Sequence, residues 1–410
     1  MIDLTAVRAD QQLVQRLKLK DPNFPIEKLL ALDEQRRSMT VKIEQLRARK
    51  NELASSAKSG ITDAVRQESR QISDQLKDLE KNFETVASEF KKLYLHCPNI
   101  PDEILPHGGK EANKVVHAAG KQPVFDFEPE NHVELGKKLG WFDFEGAARM
   151  TGSGFVLYKK DAVKLIYALT RLMLKNNREH GFEPVLPPYL VNYKSLETAS
   201  NFPRFKGDAY AVQEEDLYLT PTAEVNLTNL YRDAILDLDQ LPIRMTAWTS
   251  CFRREAGGYG AQERGLIRIH EFEKVELYSI VKPEDSMQEL ERMRQCAEEI
   301  LQQLGLHYRV SLLAMQDCSF PSAKTYDLEV WMPGQKAYYE VSSCSNCTDF
   351  QARRGAIRFK RSSTAKPELV HTLNASSLAL PRLMVALMET YQQKDGSIVL
   401  PPSLALYMDW

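Results

Sequence analysis

The sequence lacks the features that mark several large classes of protein. Its 410 residues contain no apolar run that approaches the length of a membrane span, and no secretory signal opens the chain. A glycine-rich Rossmann or Walker motif is also absent, so nucleotide binding would need another solution. The six cysteines are scattered, which is typical of a reducing compartment. We therefore expect a cytoplasmic bacterial protein without membrane contact, or an organellar protein without its transit peptide.

A strong charge of either sign is missing as well. The formal net charge is −2, so no global field attracts nucleic acid, and any RNA-binding surface must be a local patch. A zinc centre is not expected, because the CxxC pair of Cys344 and Cys347 has no second ligand pair at a suitable spacing. The hydrophobic content of 43% is ordinary for a globular protein with a large core.

The N-terminal quarter of the chain has a sustained heptad pattern. Apolar residues recur every seven positions at Leu32, Met39, Leu46 and Leu53, and again at Val65, Ile72, Leu79, Val86 and Leu93. Two such helices with a short connection run antiparallel, which predicts a coiled-coil hairpin at about 27–95 within an N-terminal domain of residues 1–100. Each arm would extend about 45 Å into solvent. Such an arm suits an extended binding partner, and dimerisation or a bare spacer is the alternative.

Residues 101–410 have a mixed pattern that predicts a second, larger domain. Helical periodicity covers Asp161–Glu179, and the strand-like run Phe182–Leu186 follows it. Strands dominate after that point, with helices near Glu284–Leu304 and Pro381–Gln392. This order favours an α+β fold, in which helices flank an antiparallel sheet.

The stretch Phe252–Glu276 concentrates unlike polar groups. Two strand-like runs flank a loop rich in glycine, which predicts a long antiparallel hairpin. Strand alternation places six side chains on one face: Arg253 and Glu255, then Arg268, His270, Phe272 and Glu276. Phe272 and Glu276 are separated by about 13 Å, roughly the length of an aminoacyl-adenylate. The alternative interpretation is an ordinary solvated face.

Three segments of the chain resemble the three motifs of class II aminoacyl-tRNA synthetases: the helix and strand before Pro188, the hairpin, and the strand and helix around Arg382. Four further blocks look like seryl-tRNA synthetases: Thr220–Val225, Ala323–Trp331, Glu340–Asn346 and Asp349–Arg354. The predicted helical hairpin resembles the tRNA-binding arm of that family, so the resemblance covers essentially the whole chain. It implies a serine–tRNA ligase that uses ATP to convert L-serine to seryl-adenylate and then charges tRNA-Ser, with tRNA-Sec as a second candidate acceptor.

The resemblance also implies roles for individual residues. The catalytic residues would be Arg253, Glu340 and Arg382. Serine would bind to Thr222, Ala223, Glu224, Arg253, Glu276, Asn374 and Ser376. ATP would bind to Arg253, Arg254, Glu255, Phe272, Glu340, Val341, Ser342, Ser343 and Arg382. The Mg²⁺ that accompanies ATP would bind to Glu340 and Ser343, which supply the hard oxygen ligands that this ion prefers.

In the family the helical arm reaches across a homodimer to the long variable arm of tRNA-Ser, and Pro188 falls in the segment that forms the dimer interface. The chain departs from the family at Ala375, Ser377 and Pro381, where bacterial relatives usually carry glycine. Two rival functions stay open. One is a paralogue that activates serine or another small amino acid without charging tRNA, and the other is a non-catalytic coiled-coil scaffold.

Overall fold

The computed structural model of the chain describes residues 1–56, 62–256 and 265–408. It divides into two compact units, Asp3–Pro98 and Asn99–Trp410. Throughout the described ranges, no helix has both the length and the apolar character that crossing a membrane would require.

The first unit is helical. Its helices are α1 (Leu4–Ala9), α2 (Gln11–Lys20), α3 (Ile26–Ser56) and α4 (Asp63–Leu95). The long helices run antiparallel, because Lys28 pairs with Glu89 and Arg49 pairs with Glu68 at the other end. Ile43, Leu53, Ile72 and Leu76 bury the seam between them. The predicted coiled-coil hairpin is therefore confirmed, while its connection at residues 57–61 lies outside the described residues.

The second unit contains the remaining helices and all the strands of the described residues. Its helices are α5 (His132–Leu139), α6 (Phe144–Thr151), α7 (Asp161–Glu179), α8 (Tyr193–Thr198), α9 (Ala223–Asn229), α10 (Ser286–Gln303), α11 (Phe350–Gly355), α12 (Leu380–Tyr391) and α13 (Pro402–Ala405). Its strands are β1 (Lys114–Ala119), β2 (Phe142–Asp143), β3 (Leu157–Tyr158), β4 (Glu183–Val185), β5 (Leu190–Asn192), β6 (Leu217–Leu219), β7 (Ile235–Asp237), β8 (Ile243–Phe252), β9 (Glu271–Val281), β10 (Tyr308–Leu312), β11 (Lys324–Met332), β12 (Ala337–Asn346), β13 (Arg358–Lys360), β14 (Glu368–Leu369) and β15 (His371–Ala379).

Eight of these strands form one large sheet in the order β1-β10-β11-β12-β15-β9-β8-β4. Neighbouring strands are antiparallel except at one edge, where β4 runs parallel to β8. The predicted α+β fold is confirmed, with this parallel edge as an addition.

The two faces of the sheet differ in chemistry. Alternate residues such as Val275 and Leu277 of β9 join an apolar core with helices α7, α10 and α12. The intervening residues Lys274 and Glu276 face the other way and line a pocket. Helices α7, α10 and α12 therefore cover one face. Helices α9 and α11 cover part of the opposite face, and the remainder carries polar groups.

The hairpin at Phe252–Glu276 is shorter than the sequence predicts. Strand β8 ends at Phe252 and β9 begins at Glu271, so the strands predicted through Arg253, Glu255, Arg268 and His270 are wrong, although Arg253, Glu255 and Arg268 do line the pocket. Glu255 has a φ of 49°, a conformation that extended strand does not allow. The turn glycines Gly257, Gly258 and Gly260 lie outside the described residues.

Candidate active site

A pocket of about 350 Å³ lies over the polar face of the large sheet. Strands β9, β12 and β15 form its floor, and residues at the starts of α9 and α12 contribute to its walls. The segment 266–269, which precedes β9, lines one side.

The register of the sheet aligns the polar side chains of the floor. Lys274 and Glu276 alternate onto the pocket face of β9. Ser376 of β15 lies directly opposite Glu276, and Asn374 of the same strand lies opposite Ser345 of β12. Because neighbouring strands are about 4.8 Å apart, these side chains form one continuous polar surface.

Glu276, Lys274 and Thr222 form a buried polar cluster at one end of the pocket. Glu276 is only 1% exposed, and its carboxylate forms an ion pair with Lys274. Lys274 Nζ also donates to Thr222 Oγ1 at 2.8 Å. Thr222 caps the start of α9, and its hydroxyl lies 3.4 Å from Glu276 Oε2. Burial raises the pKa of Glu276, and the charge of Lys274 opposes that rise.

A second carboxylate, Glu224, lies beside this cluster in the first turn of α9. Its Oε1 accepts from Gln351 Nε2 at 2.6 Å and from Asn374 Nδ2 at 3.1 Å. Burial, followed by the negative charge of Glu276, raises the pKa of Glu224 to about 7. Two adjacent carboxyl groups in a confined space can bind a ligand that carries an ammonium and a hydroxyl group.

An arginine and an aromatic ring adjoin this end. The guanidinium of Arg253 lies 5.2 Å from the centre of the Phe272 ring, and its Nε donates to the carbonyl of Pro221 at 3.2 Å. Nearby, Arg268 forms a 2.6 Å ion pair with Glu255. This part of the pocket combines positive charge with a flat apolar surface, which suits phosphate beside a planar ring.

The far end of the pocket contains Arg382, in the first turn of α12. Its Nη1 donates to the carbonyl of Glu340 at 2.8 Å, and its Nε donates to the carbonyl of Ile267 at 3.1 Å. The neighbour of Asn374 on β12 is Ser345, which lies five residues from Glu340. Five residues of strand span about 17 Å, so Asn374 and Glu340 are far apart and the pocket is long.

Oxygen ligands lie near Arg382. Glu340 and Ser343 line the pocket, and Asp327 lies opposite Ser343 on β11. Burial, followed by the charge of Glu340, raises the pKa of Asp327 well above its usual range. In the described ranges, no three His, Cys, Asp or Glu side chains are arranged to hold a metal alone. The oxygens of Glu340 and Ser343 fit an ion such as Mg²⁺ that obtains its other ligands from phosphates and water.

Most of the predicted site residues meet at this pocket. Those that line it are Thr222, Glu224, Arg253, Glu255, Phe272, Glu276, Glu340, Val341, Ser343, Asn374, Ser376 and Arg382. Three others lie outside the lining. Ala223 is buried in the core, Arg254 donates its backbone N–H to Asp208, and the Ser342 hydroxyl bonds to the carbonyl of Ser376.

Several residues that line or support the site were missed from the sequence, among them Lys274, Gln351 and Asp327. Lys274 falls between Phe272 and Glu276 on one strand face, so strand alternation was a usable signal for it. Gln351 and Asp327 lie within blocks that resemble the family, but no periodicity in the sequence brings either of them to the pocket.

Comparison with known proteins first defines the class. Residues 205–391 match the tRNA synthetase class II core domain (G, H, P, S and T), and residues 1–101 match the seryl-tRNA synthetase N-terminal domain. The fold and the pocket are therefore those of a class II aminoacyl-tRNA synthetase.

Full-length relatives define the family. The chain is 44% identical to a serine–tRNA ligase from Oleidesulfovibrio alaskensis, over 100% of this chain and 97% of the relative. It is also similar to a crystal structure of seryl-tRNA synthetase from Pyrococcus horikoshii complexed with ATP, with a TM-score of 0.94, 34% identity, and coverage of 100% and 98% of the two chains. A serine–tRNA ligase from Naegleria fowleri in complex with AMP matches with a TM-score of 0.84 and 25% identity, over 97% and 93% of the two chains. The chain belongs to the seryl-tRNA synthetase family.

Proposed function

We propose that the chain is a serine–tRNA ligase, which activates L-serine with ATP and transfers the seryl group to the 3′ end of tRNA-Ser. The observation that carries the proposal is the division of charge along the pocket. Glu224 and Glu276 occupy one end, and the guanidinium groups of Arg253 and Arg382 follow towards the other. An amino acid with a hydroxyl group fits the first end, and the phosphates of a nucleotide fit the second.

Adenylate formation requires positioning and charge more than it requires a base. The serine carboxylate is already ionised at neutral pH, and its oxygen attacks the α-phosphorus of ATP. The bond from that phosphorus to the bridging oxygen of the β-phosphate breaks, and pyrophosphate leaves. Arg253 would contact both the carboxylate and the α-phosphate, since its planar fork presents several donors. A ribose hydroxyl of tRNA would then attack the seryl carbonyl and release AMP.

Serine selection would depend on the buried cluster. Glu224 would bind the ammonium group together with Thr222, and Asn374 holds the Glu224 carboxylate in place. Glu276 would accept a hydrogen bond from the serine hydroxyl, with Ser376 directly opposite it. A pocket built to pair with a hydroxyl rejects alanine, because its own polar groups would be left unpaired.

ATP would lie along the remaining length of the pocket. Phe272 would stack against the adenine, Glu255 would contact its amino group, and Arg382 would bind the γ-phosphate or the other side of the purine. Mg²⁺ bound by Glu340 and Ser343 would neutralise phosphate charge. Val341 lines the same end of the pocket. The backbone N–H of Arg254 and the hydroxyl of Ser342 already bond elsewhere, so these two residues could contact ATP only through their other atoms.

The division of labour between the domains is also part of the proposal. Residues 1–100 would bind the long variable arm of tRNA-Ser through the helical hairpin, and residues 101–410 would perform both chemical steps. The hairpin suits this task because it is a long rod with nearly balanced charge, and RNA duplexes are recognised mostly by shape and backbone. We place the enzyme in the cytoplasm, where tRNA, ATP and serine are available together. Charging of tRNA-Sec stays a prediction.

A homodimer is the last part of the proposal. Leu186 is 74% exposed and follows β4, and Tyr167 on the neighbouring helix α7 is 46% exposed. Exposed apolar side chains that cluster in this way are typical of protein interfaces. Pro188 follows Leu186 by two residues in the chain.

Two assays on the full-length chain separate this proposal from its rivals. We expect pyrophosphate exchange with serine but not with alanine or threonine, followed by charging of tRNA-Ser. Exchange with serine without any charging would favour the amino-acid-activating paralogue. Absence of exchange with every amino acid would favour the scaffold.

A further inference from the structure

A buried histidine–glutamate pair lies behind the end of the pocket that contains Arg382. His132, the first residue of α5, is 1% exposed, and Glu389 in α12 is fully buried. Their side chains meet with Nδ1 of His132 3.1 Å from Oε1 of Glu389. Neither residue lines the pocket. Because this buried pair lies next to the pocket but does not line it, its role would be to hold the pocket wall in position.

Glu389 is surrounded by hydrogen-bond donors. Its Oε1 accepts from the backbone N–H of His132 at 3.0 Å, and its Oε2 accepts from the N–H of Gly334 at 2.9 Å. Gln335 adds its backbone N–H and its side-chain amide, each at 3.3 Å. Gly334 and Gln335 form the turn that leads into β12, the strand that carries Glu340. The carboxylate therefore ties α12 to the start of a strand that lines the pocket.

The hydrogen bonds determine the histidine tautomer. Nδ1 faces a carboxylate that can only accept, so Nδ1 carries the proton. Nε2 then presents a lone pair, and it accepts the backbone N–H of Leu266 at 3.1 Å. The imidazole therefore connects Glu389 to the main chain of the pocket wall.

The neighbouring residues show how closely the wall is held. Gly265 has a φ of 69°, and a Cβ at that position would lie only 2.3 Å from Nε2 of His132. On the other side of Leu266, the carbonyl of Ile267 accepts from Arg382 Nε at 3.1 Å. Arg382 and Glu389 are seven residues apart and share one face of α12. Helix α12 therefore holds this wall at two points, once directly and once through His132.

We propose that His132 and Glu389 are positioning residues for ATP, which set the main chain at Leu266 and Ile267 and thereby the guanidinium of Arg382. The inference rests on the proposed function, because it assigns the Arg382 end of the pocket to the nucleotide. Neither side chain touches substrate. Loss of the bond to Leu266 N–H releases one of the two attachments of the wall, so the pocket is no longer preorganised for phosphate and purine.

Two amide substitutions of His132 separate positioning from simple packing. H132N keeps a donor near the position of Nδ1 and loses the acceptor for Leu266, whereas H132Q can place its amide oxygen near the position of Nε2. We expect H132N to raise the KM for ATP about 10-fold in pyrophosphate exchange, the effect of one lost hydrogen bond, with the KM for serine within about 2-fold. H132Q should restore most of the ATP affinity. H117Q is the control for loss of a histidine–glutamate pair away from the pocket, because His117 pairs with Glu298 at 2.7 Å on a side chain that is 41% exposed.

The inference is overturned if H132N and H132Q both lower the melting temperature while the KM for ATP stays at the wild-type value. If H132N does not fold, Q335A decides, since it removes one donor to Glu389 from a half-buried position. We expect Q335A to raise the KM for ATP by about 3-fold, and an unchanged KM would overturn the positioning role of His132 and Glu389. Equilibrium binding of ATP to the full chain provides a separate measurement. If the wild type does not exchange with serine but H132N still binds ATP more weakly, the proposed function fails and the positioning role stands.

Discussion

At the scale of single residues, Glu276 is a buried acidic residue that contacts both a lysine and a threonine hydroxyl. Lys274 and Thr222 both contact its carboxylate, so the ionised form is stabilised even though burial raises its pKa. A carboxyl group that Lys274 and Thr222 already hold in place presents an oriented acceptor to a hydroxyl group. This arrangement makes Glu276 the most direct test of serine recognition.

Replacement of Glu276 by alanine should raise the KM for serine by about 10- to 100-fold, because a hydrogen bond to a charged group is lost. The KM for ATP should change by less than about 3-fold, since the nucleotide occupies the other end of the pocket. Pyrophosphate exchange with each substrate varied in turn measures both values. Glu271→Ala is the control, because Glu271 lies on the same strand but does not line the pocket. An unchanged serine affinity would remove Glu276 from the serine site.

Glu224 supports a prediction about pH. Its pKa in the folded chain is raised to about 7, so the folded state binds this proton more tightly than the unfolded state does. The stability that the protonated group contributes is complete below the ordinary pKa of 4.5 and is lost as the pH rises through about 7. Glu224→Gln should therefore raise the melting temperature at about pH 8.5 and not at about pH 5.

The same substitution should weaken serine binding, because the uncharged amide no longer attracts the ammonium group. Thermal unfolding at the two pH values, with serine KM measured in parallel, tests both effects. A melting temperature that shifts equally at both pH values would contradict the raised pKa of Glu224.

Residue types at the site were predictable, but the direction of several side chains was not. Alternation correctly placed Phe272 and Glu276 on one face of β9. On β12, however, Glu340 and Ser343 have opposite parity and both line the pocket. An irregularity in the pairing between β11 and β12 at Leu328 and Glu329 shifts the register and makes this possible. A bulge of this kind depends on the partner strand, so the sequence of β12 alone does not reveal it.

Elements with a long, regular pattern were predicted best. Heptads predicted a hairpin at about 27–95, and helices cover Ile26–Ser56 and Asp63–Leu95. The helix predicted over Asp161–Glu179 has those bounds in the structure. The strands of the polar hairpin were overextended. The N–H of Arg253 still donates to the carbonyl of His270, but the N–H of Arg254 donates to Asp208 in a loop, and Arg268 forms an ion pair with Glu255. Amphipathic periodicity reflects packing against the core, so it can be recognised in the sequence. The conformation of a polar segment depends instead on the contacts that it makes in the site.

The helical hairpin gives a prediction at the scale of elements. Replacement of Glu27–Leu95 by a short glycine–serine linker should leave pyrophosphate exchange within about 3-fold of wild type, because no residue of the pocket is removed. Charging of tRNA-Ser should fall by about 100-fold or more, since the second attachment of the tRNA is lost. Equal loss of both activities would mean that the hairpin is needed for folding of the rest of the chain.

At the scale of the whole molecule, the exposed apolar residues around α7 and β4 support the proposed homodimer. Met150 and Tyr167 line a shallow cavity together with Trp248, and Met150 is 65% exposed. Tyr189 and Leu190 add further exposed apolar surface just after β4. Strand β4 is also an edge of the large sheet. Large exposed apolar patches commonly mark interaction surfaces, and a sheet edge can pair with another chain.

A charged substitution at Leu186 tests the homodimer. Leu186→Asp should convert the proposed dimer to a folded monomer, because a carboxylate would have to lose its water in the interface. Sedimentation equilibrium measures the mass, and circular dichroism verifies the fold. Val124→Asp is the control, because Val124 is also apolar, 90% exposed and distant in sequence from α7 and β4. If one subunit supplies the helical hairpin for tRNA bound to the other, the L186D monomer should lose charging more than pyrophosphate exchange. A wild-type chain that sediments as a monomer, or an L186D chain that stays dimeric, would contradict an interface at this surface.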